Sequence, residues 1–151
     1  MTTEQQADQL RDLLATHADA VRALLPGHLH HLAPFKVEQF GALTKYTLGE
    51  VRPGVWAMLH YLRAPDAGPL GPHSHPCRFD SHGIKGGYWE RAFHEDGRTE
   101  LVLRAAGGNH TIWPNTVHAI VGLPDGPAWT LVFGYEVIQE ARHYPELAEA
   151  V

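Results

Sequence analysis

The chain has 151 residues, of which 44% are hydrophobic and 19% are charged, and this balance predicts a globular protein of one domain. Its net charge of −5 offers no basic face, so nucleic acid is excluded as an expected partner. Cys77 is the single cysteine, and the sequence shows neither a signal peptide nor an apolar run of the about 20 residues that cross a membrane, so we expect a cytoplasmic protein without a membrane partner.

The first predicted element is an amphipathic helix over residues 3–25. Its apolar side chains recur at helical spacing and form one stripe: Leu10, Leu13, Leu14, Val21, Leu24 and Leu25. Thr2 or Thr3 can cap its start, and Pro26-Gly27 ends it. We expect this helix to cover one face or edge of a sheet, and a contact between two copies of the chain is the alternative.

Beyond residue 34 the chain consists of short runs of strand-forming residues, and Gly or Pro interrupts it every 8–15 residues. The predicted strands cover residues 45–48, 55–62, 79–84, 88–93, 101–104, 111–113, 118–121 and 129–137. Short strands at this spacing predict an all-β sandwich or barrel. We expect one structural domain with three parts: a helix and linker over 1–33, a barrel over 34–138, and a short helical tail over 139–151. The edges of an open barrel need covering, which the helix or the partner in a homodimer could provide.

Two segments that contain histidine carry the predicted chemistry. His73 and His75 are two residues apart in an extended segment between Pro72 and Pro76, so their side chains point to the same side. His118 comes from a distant strand and can complete a face of three nitrogens around one metal ion. Such a face leaves coordination positions open, which a catalytic metal requires.

Asp80 lies at the start of the next predicted strand and could be a fourth metal ligand, a hydrogen-bond partner of a ligand histidine, or a general base. If its side chain points inward, strand alternation turns His82 inward as well and Ser81 outward. Two polar side chains that face a metal pocket must be satisfied by metal, water or substrate, because burying them unpaired is costly. Asp80 and His82 are therefore the candidate catalytic residues.

Four further side chains are candidates for contact with a substrate: Arg63, Arg91, Tyr61 and Trp89. Either arginine could bind a substrate carboxylate through two hydrogen bonds. The alternative is that the arginines are solvated strand residues and that the two aromatic residues belong to the core. Cys77 could be a soft metal ligand, but a small buried side chain is the expected role.

The segments around the three histidines resemble the two sequence motifs of the cupin superfamily, and this resemblance covers residues 68–118. It implies the cupin fold, a double-stranded β-helix or jelly-roll barrel, here with an N-terminal helix and a short helical tail. The chain departs from the motifs at several positions. Asp80 stands where Glu is usual and Thr116 where Gly is usual, and His118 follows Pro114 by four residues instead of five. The asparagine that closes the second motif is absent.

The stretch from His73 to Tyr88 also resembles a narrower group of bacterial cupins with the pattern H-D-H-P-W-x-F-x-S-x-I-L-x-G-G-Y. In that group the residue at the position of Asp80 is usually not acidic. The resemblance therefore implies a site of three histidines, as in thiol dioxygenases such as cysteine dioxygenase, at least as well as a site of three histidines and a carboxylate.

Ligand chemistry leads to three hypotheses of function. Three neutral histidines leave room for a chelating substrate and O2, so the first is a non-haem Fe(II) dioxygenase that acts on a small polar molecule, an amino acid or a thiol. Adding Asp80 suits Zn, Mn or Ni acting as a Lewis acid in an isomerase, lyase or hydrolase. The third is a cupin that binds or senses a small molecule without turnover.

Overall fold

The computed structural model describes residues 1–66 and 71–150. The start of the first cupin-like motif, residues 68–70, lies outside the described residues, as does residue 151. The described elements, in chain order, are α1 (Thr3–Arg22), a 3-10 turn (Gly27–Leu29), β1 (Lys36–Phe40), β2 (Leu43–Arg52), β3 (Val55–Leu62), β4 (Phe79–Lys85), β5 (Tyr88–Phe93), β6 (Thr99–Arg104), β7 (Asn109–Ile112), β8 (Val117–Gly122), β9 (Ala128–Gly134) and a 3-10 helix (Pro145–Ala150).

The strands form two antiparallel sheets, which confirms the all-β prediction. The large sheet has six strands in the order β1-β2-β3-β9-β4-β7, and the small sheet has three in the order β6-β5-β8. Neighbours such as β3 and β9 are distant in sequence, so the sheets form through long-range pairing, as in a jelly roll. The tail is helical only over its last residues, because the chain after β9 runs alongside the segment that contains His73 and His75.

Helix α1 packs on the outer face of the large sheet, as expected. Thr2 forms a capping box with Gln5, in which the backbone N–H of each residue donates to the side chain of the other. Leu13 and Val21 are 1% and 0% exposed and belong to the same core as the side chains on this face of the sheet. The described residues contain no helix with the length and apolar character that crossing a membrane requires.

Alternation along β4 decides which of its side chains face the interior between the sheets. Asp80 pairs with Phe133 across the sheet and His82 pairs with Leu131, and both partners pack with the core beneath the helix. Paired side chains share a face, so Asp80 and His82 lie on the helix side. Ser81 is 3% exposed, points inward and hydrogen-bonds to the small sheet. This corrects the expectation that Asp80 and His82 point into the barrel and Ser81 points out.

Candidate metal centre

Backbone pairing brings the three predicted histidines together. His73 lies in the loop before β4 and His118 near the start of β8, and the N–H of each donates to the carbonyl of the other at 2.9 and 3.1 Å. The loop therefore extends the small sheet beyond β8. The N–H of His75 donates to the carbonyl of Pro114 at 3.0 Å. As a result, one ring nitrogen from each histidine lies within 4.8 Å of the other two.

The second ring nitrogen of each histidine is occupied by a hydrogen bond. Each Nδ1 faces an oxygen that can only accept: Gly71 O at 2.7 Å from His73, Thr116 O at 3.1 Å from His75, and Glu90 Oε1 at 2.9 Å from His118. Each Nδ1 must therefore hold the proton of its neutral ring, and each Nε2 keeps a free lone pair. Partners of this kind set the tautomer and direction of histidines that bind metals.

The free nitrogens fit a divalent metal ion. The Nε2 atoms of His75 and His118 are 3.1 Å apart, and two lone pairs at this distance repel each other unless a cation or a proton lies between them. Two nitrogens bound to one ion at about 2.1 Å and at right angles would lie about 3.0 Å apart. Burial, and then the neighbouring imidazoles, lower the pKa of His73 to about 4 and that of His75 to about 3. Both rings are therefore neutral near pH 7, as a metal ligand must be.

Glu90 of β5 supports the centre from inside the barrel. Its carboxylate is 2% exposed, and the oxygen that does not contact His118 accepts from Nε of Arg104 at 2.8 Å. Burial alone would raise the pKa of Glu90, but the hydrogen bonds from His118 and Arg104 and the positive charge of Arg104 outweigh burial and lower it to about 2. An ionised carboxylate at this place fixes the orientation of the His118 ring and makes its Nε2 a better donor to metal.

Glu90 was not predicted from the sequence, which indicated its neighbours Trp89 and Arg91 as substrate contacts. Both neighbours lie on the outer face of β5, where Trp89 is 36% exposed and Arg91 pairs with strand residues on either side. Strand alternation places Glu90 on the face of β5 opposite Trp89 and Arg91, but its approach to His118 depends on the pairing of β5 with β8, which the sequence does not show.

Asp80 and His82 are not brought to the three histidines. The carboxylate of Asp80 accepts four hydrogen bonds on the helix side of β4: from Nε and Nη2 of Arg78 at 3.2 and 3.1 Å, from Oγ1 of Thr111 at 2.8 Å and from Oη of Tyr135 at 2.8 Å. Burial raises the pKa of Asp80, but these hydrogen bonds and the charge of Arg78 outweigh burial and lower it. The ring of His82 packs against Phe133, with 5.5 Å between the ring centroids.

The other candidates also lie apart from the centre. Tyr61 is 5% exposed and packs in the core with 4.7 Å between its ring centroid and that of Trp129. Arg63 follows β3 and is exposed. Cys77 is buried, and burial raises the pKa of its thiol, which disfavours the thiolate that binds metals. In the part of the chain that the structure describes, only the three histidines gather in a geometry that could hold a metal ion.

Two residues at the rim of the centre were not anticipated. His143 in the tail pairs with His73 through the backbone, and their ring centroids are 5.9 Å apart. The carboxylate of Asp66 accepts from the N–H of Ile120 at 2.8 Å, and burial raises its pKa. Neither residue has a local sequence signal, because both reach the rim through pairing with segments that are distant along the chain.

Comparisons with known proteins show the fold of this chain. No family model and no curated protein matches the sequence. Oxalate decarboxylase of Bacillus subtilis is similar with a TM-score of 0.56 and 16% identity, over 72% of this chain and 29% of the decarboxylase. Streptomyces PAC13, solved with uridine, is similar with a TM-score of 0.54 and 14% identity, over 72% of this chain and 83% of that protein. The chain therefore spans less than a third of the decarboxylase, and these likenesses confirm the predicted cupin fold.

Proposed function

We propose that this protein is a metal-dependent cupin enzyme that holds one divalent ion with His73, His75 and His118. The observation that carries the proposal is the orientation of the rings, since each Nδ1 donates to a fixed oxygen and leaves its Nε2 free to bind one shared ion. Three neutral imidazoles would leave the full charge of the ion uncompensated and several coordination positions open. That arrangement suits a small substrate that binds the ion directly through negatively charged atoms.

Fe(II) is the ion that we propose first, with an amino acid or a thiol as the class of substrate. When bound, Fe(II) supplies a centre at which a chelating substrate and O2 can react. The residues of the chain orient that centre. Glu90 fixes the orientation of the His118 ring. His75 and His118 are 7% and 4% exposed, so bulk water does not reach the side of the metal centre that faces the barrel interior. His143 lies at the rim beside His73, where its imidazole could exchange a proton with an entering substrate.

The second candidate is a non-redox cupin that uses Zn, Mn or Ni as a Lewis acid. The likeness in fold to an oxalate decarboxylase favours the lyase form of this candidate, since that neighbour is a decarboxylase. The position of Asp80 does not favour the non-redox candidate, for which Asp80 was the expected fourth ligand. The carboxylate of Asp80 instead accepts hydrogen bonds from Arg78, Thr111 and Tyr135 on the other face of β4. We therefore place the oxygenase first.

Elemental analysis of protein purified without tag or chelator, followed by assays of the metal-free protein reloaded with single metals, tests the proposal. We expect one divalent ion per chain, and O2 consumption with Fe(II) that depends on an added amino acid or thiol. His75→Ala and His118→Ala should each abolish stoichiometric binding. His94→Ala, on an exposed hairpin, is the matched control and should bind as the unmodified protein does.

Other results assign the protein differently. Turnover under nitrogen with Zn, Mn or Ni would select the non-redox enzyme. An absence of turnover together with a melting temperature that rises with added ligand would select a binding or sensor protein. A metal-free preparation that takes up no divalent ion even at excess would remove both enzymatic proposals.

A further inference from the structure

The chain after β9 forms a strap beside the loop that contains two of the histidines. Residues 135–144, the tail strap, run antiparallel to residues 72–78. Five backbone hydrogen bonds of 2.8 to 3.3 Å join them: Tyr135 N–H to Arg78 O, Ile138 N–H and Gln139 N–H to Pro76 O, Ser74 N–H to Arg142 O, and Tyr144 N–H to Pro72 O. His73 pairs with His118 on one side and with His143 on the other. The loop is therefore held between β8 and the tail strap.

One side chain of the tail strap joins the two segments that position the metal centre. Nε2 of Gln139 donates to the carbonyl of His75 at 2.9 Å and to the carbonyl of Pro114 at 3.1 Å. An amide nitrogen carries two protons, so a single side chain can satisfy both oxygens. Pro114 begins the turn that leads into His118, so the two bonds link the backbone of one histidine to the approach of another.

We infer that Gln139 is a positioning residue of the metal centre, which holds the segments of His75 and His118 at the separation that one shared ion requires. This inference rests on the proposed function. Without an ion or a proton between them, the two Nε2 lone pairs that face each other at 3.1 Å push the rings apart. A cross-link between the backbones opposes that repulsion, so the centre stays formed before the ion binds, and less conformational freedom is lost on binding.

Metal binding by two variants tests the inference. Gln139→Ala removes both side-chain hydrogen bonds, to His75 O and to Pro114 O. Gln139→Glu keeps the size of the side chain but turns a carboxylate towards these two carbonyls. We expect each variant to bind Co²⁺ about 10–100-fold more weakly, the range seen when a partner that orients a ligand is removed, with an altered visible absorption spectrum of the bound ion. Glu140→Ala, at an exposed neighbouring position, is the control and should leave Co²⁺ affinity unchanged.

A second measurement requires no metal. The N–H of His75 donates to Pro114 O, so hydrogen exchange at this amide reports whether the two segments stay together. In metal-free Gln139→Ala we expect this amide to exchange about tenfold faster or more, since two hydrogen bonds are lost, while core amides such as those of Leu59 and Leu131 keep their rates.

The two readouts separate this inference from the proposed function. If the unmodified protein binds no Co²⁺ but Gln139→Ala still speeds exchange at His75, the proposed function fails and the positioning by Gln139 stands. If the unmodified protein binds Co²⁺ and either readout is unchanged in Gln139→Ala, the inference is wrong and the proposed function stands. Faster exchange in the core as well would show a general loss of stability and would also overturn the inference.

Discussion

Two ionised carboxylates, Glu90 and Asp80, each accept a hydrogen bond from an arginine, yet only Glu90 contacts a ligand histidine. Their difference is the face of the strand that each occupies. Glu90 points into the space between the sheets, and Asp80 points to the helix side with Thr111 and Tyr135. The sequence predicts the three histidines because His73 and His75 form a local pair and His118 lies in a second segment that resembles a cupin motif. It does not predict the face of Asp80, because the register of β4 depends on pairing with β7 and β9.

Replacing each acid with its amide of equal size separates the two roles. We expect Glu90→Gln to weaken metal binding about 10–100-fold, because the amide is uncharged and no longer polarises His118. Asp80→Asn is the matched control, which should lose stability but bind the metal with unchanged affinity. Isothermal titration of metal-free protein measures both affinities. An equal loss of affinity in Asp80→Asn would return Asp80 to the ligand set that the sequence suggested.

Among the elements, those with strong periodicity are predicted and those that depend on distant partners are not. Strands β3 and β5 have the predicted bounds. Strand β1 was not predicted, because it lies at the sheet edge and its side chains are mostly exposed, so alternation is weak. The prediction assigned residues 135–137 of the tail strap to the last strand and residues 139–144 to a helical tail. Neither is found, because the hydrogen bonds of the tail strap go to residues 72–78, far away in sequence.

The end of α1 shows the same limit of periodicity. The apolar stripe predicts a helix up to residue 25, but the helix ends at Arg22. Leu24 and Leu25 continue with tighter bonds, in which their N–H groups donate to the residues three positions earlier. Leu25 is nevertheless buried, so an apolar stripe marks the buried face correctly while the last turn changes its geometry.

The packing of α1 on the sheet should contribute stability without affecting the metal centre. Leu13 is 1% exposed in the core, so we expect Leu13→Ala to lower the free energy of unfolding by about 2–5 kcal/mol, through lost burial and the cavity that remains. Leu24→Ala, at a position that is 38% exposed, should change it by about 0.5 kcal/mol or less. Urea denaturation measures both values. Equal losses in the two variants, or a changed metal stoichiometry in Leu13→Ala, would contradict this assignment.

For the whole molecule, the sequence predicts the two-sheet architecture because Gly and Pro divide it into short strands of alternating character. It does not predict which strands are neighbours, since the pairings of β3 with β9 and of β4 with β7 join distant segments. A homodimer and a small-molecule substrate stay predictions. The long-range pairing also encloses titratable side chains from segments that are distant in sequence. These side chains make the free energy of unfolding depend on pH.

Two partly buried histidines outside the metal centre, His60 and His110, are the clearest source of that dependence. The Nε2 atoms of His60 and His110 are buried and have no hydrogen-bond partner among the described residues. Burial, followed by the charge of Lys45 for His60 and of Arg104 for His110, lowers the pKa of each to about 4. Both rings are therefore neutral in the folded protein at neutral pH.

In the unfolded chain these histidines return to a pKa of about 6.5. The folded histidines titrate only near pH 4, so between pH 6.5 and pH 4 the unfolded state binds protons that the folded state does not. The free energy of unfolding therefore falls as the pH is lowered through this window, and it is fully retained above the window. Each such histidine contributes a slope of at most about 1.4 kcal/mol per pH unit. Urea denaturation of metal-free protein across this range should show a shallower slope in His110→Gln and in His60→Gln than in the unmodified protein. Because all other groups are shared, the difference in slope isolates each histidine, and identical slopes would mean that its ring is protonated as readily in the folded state as in the unfolded chain.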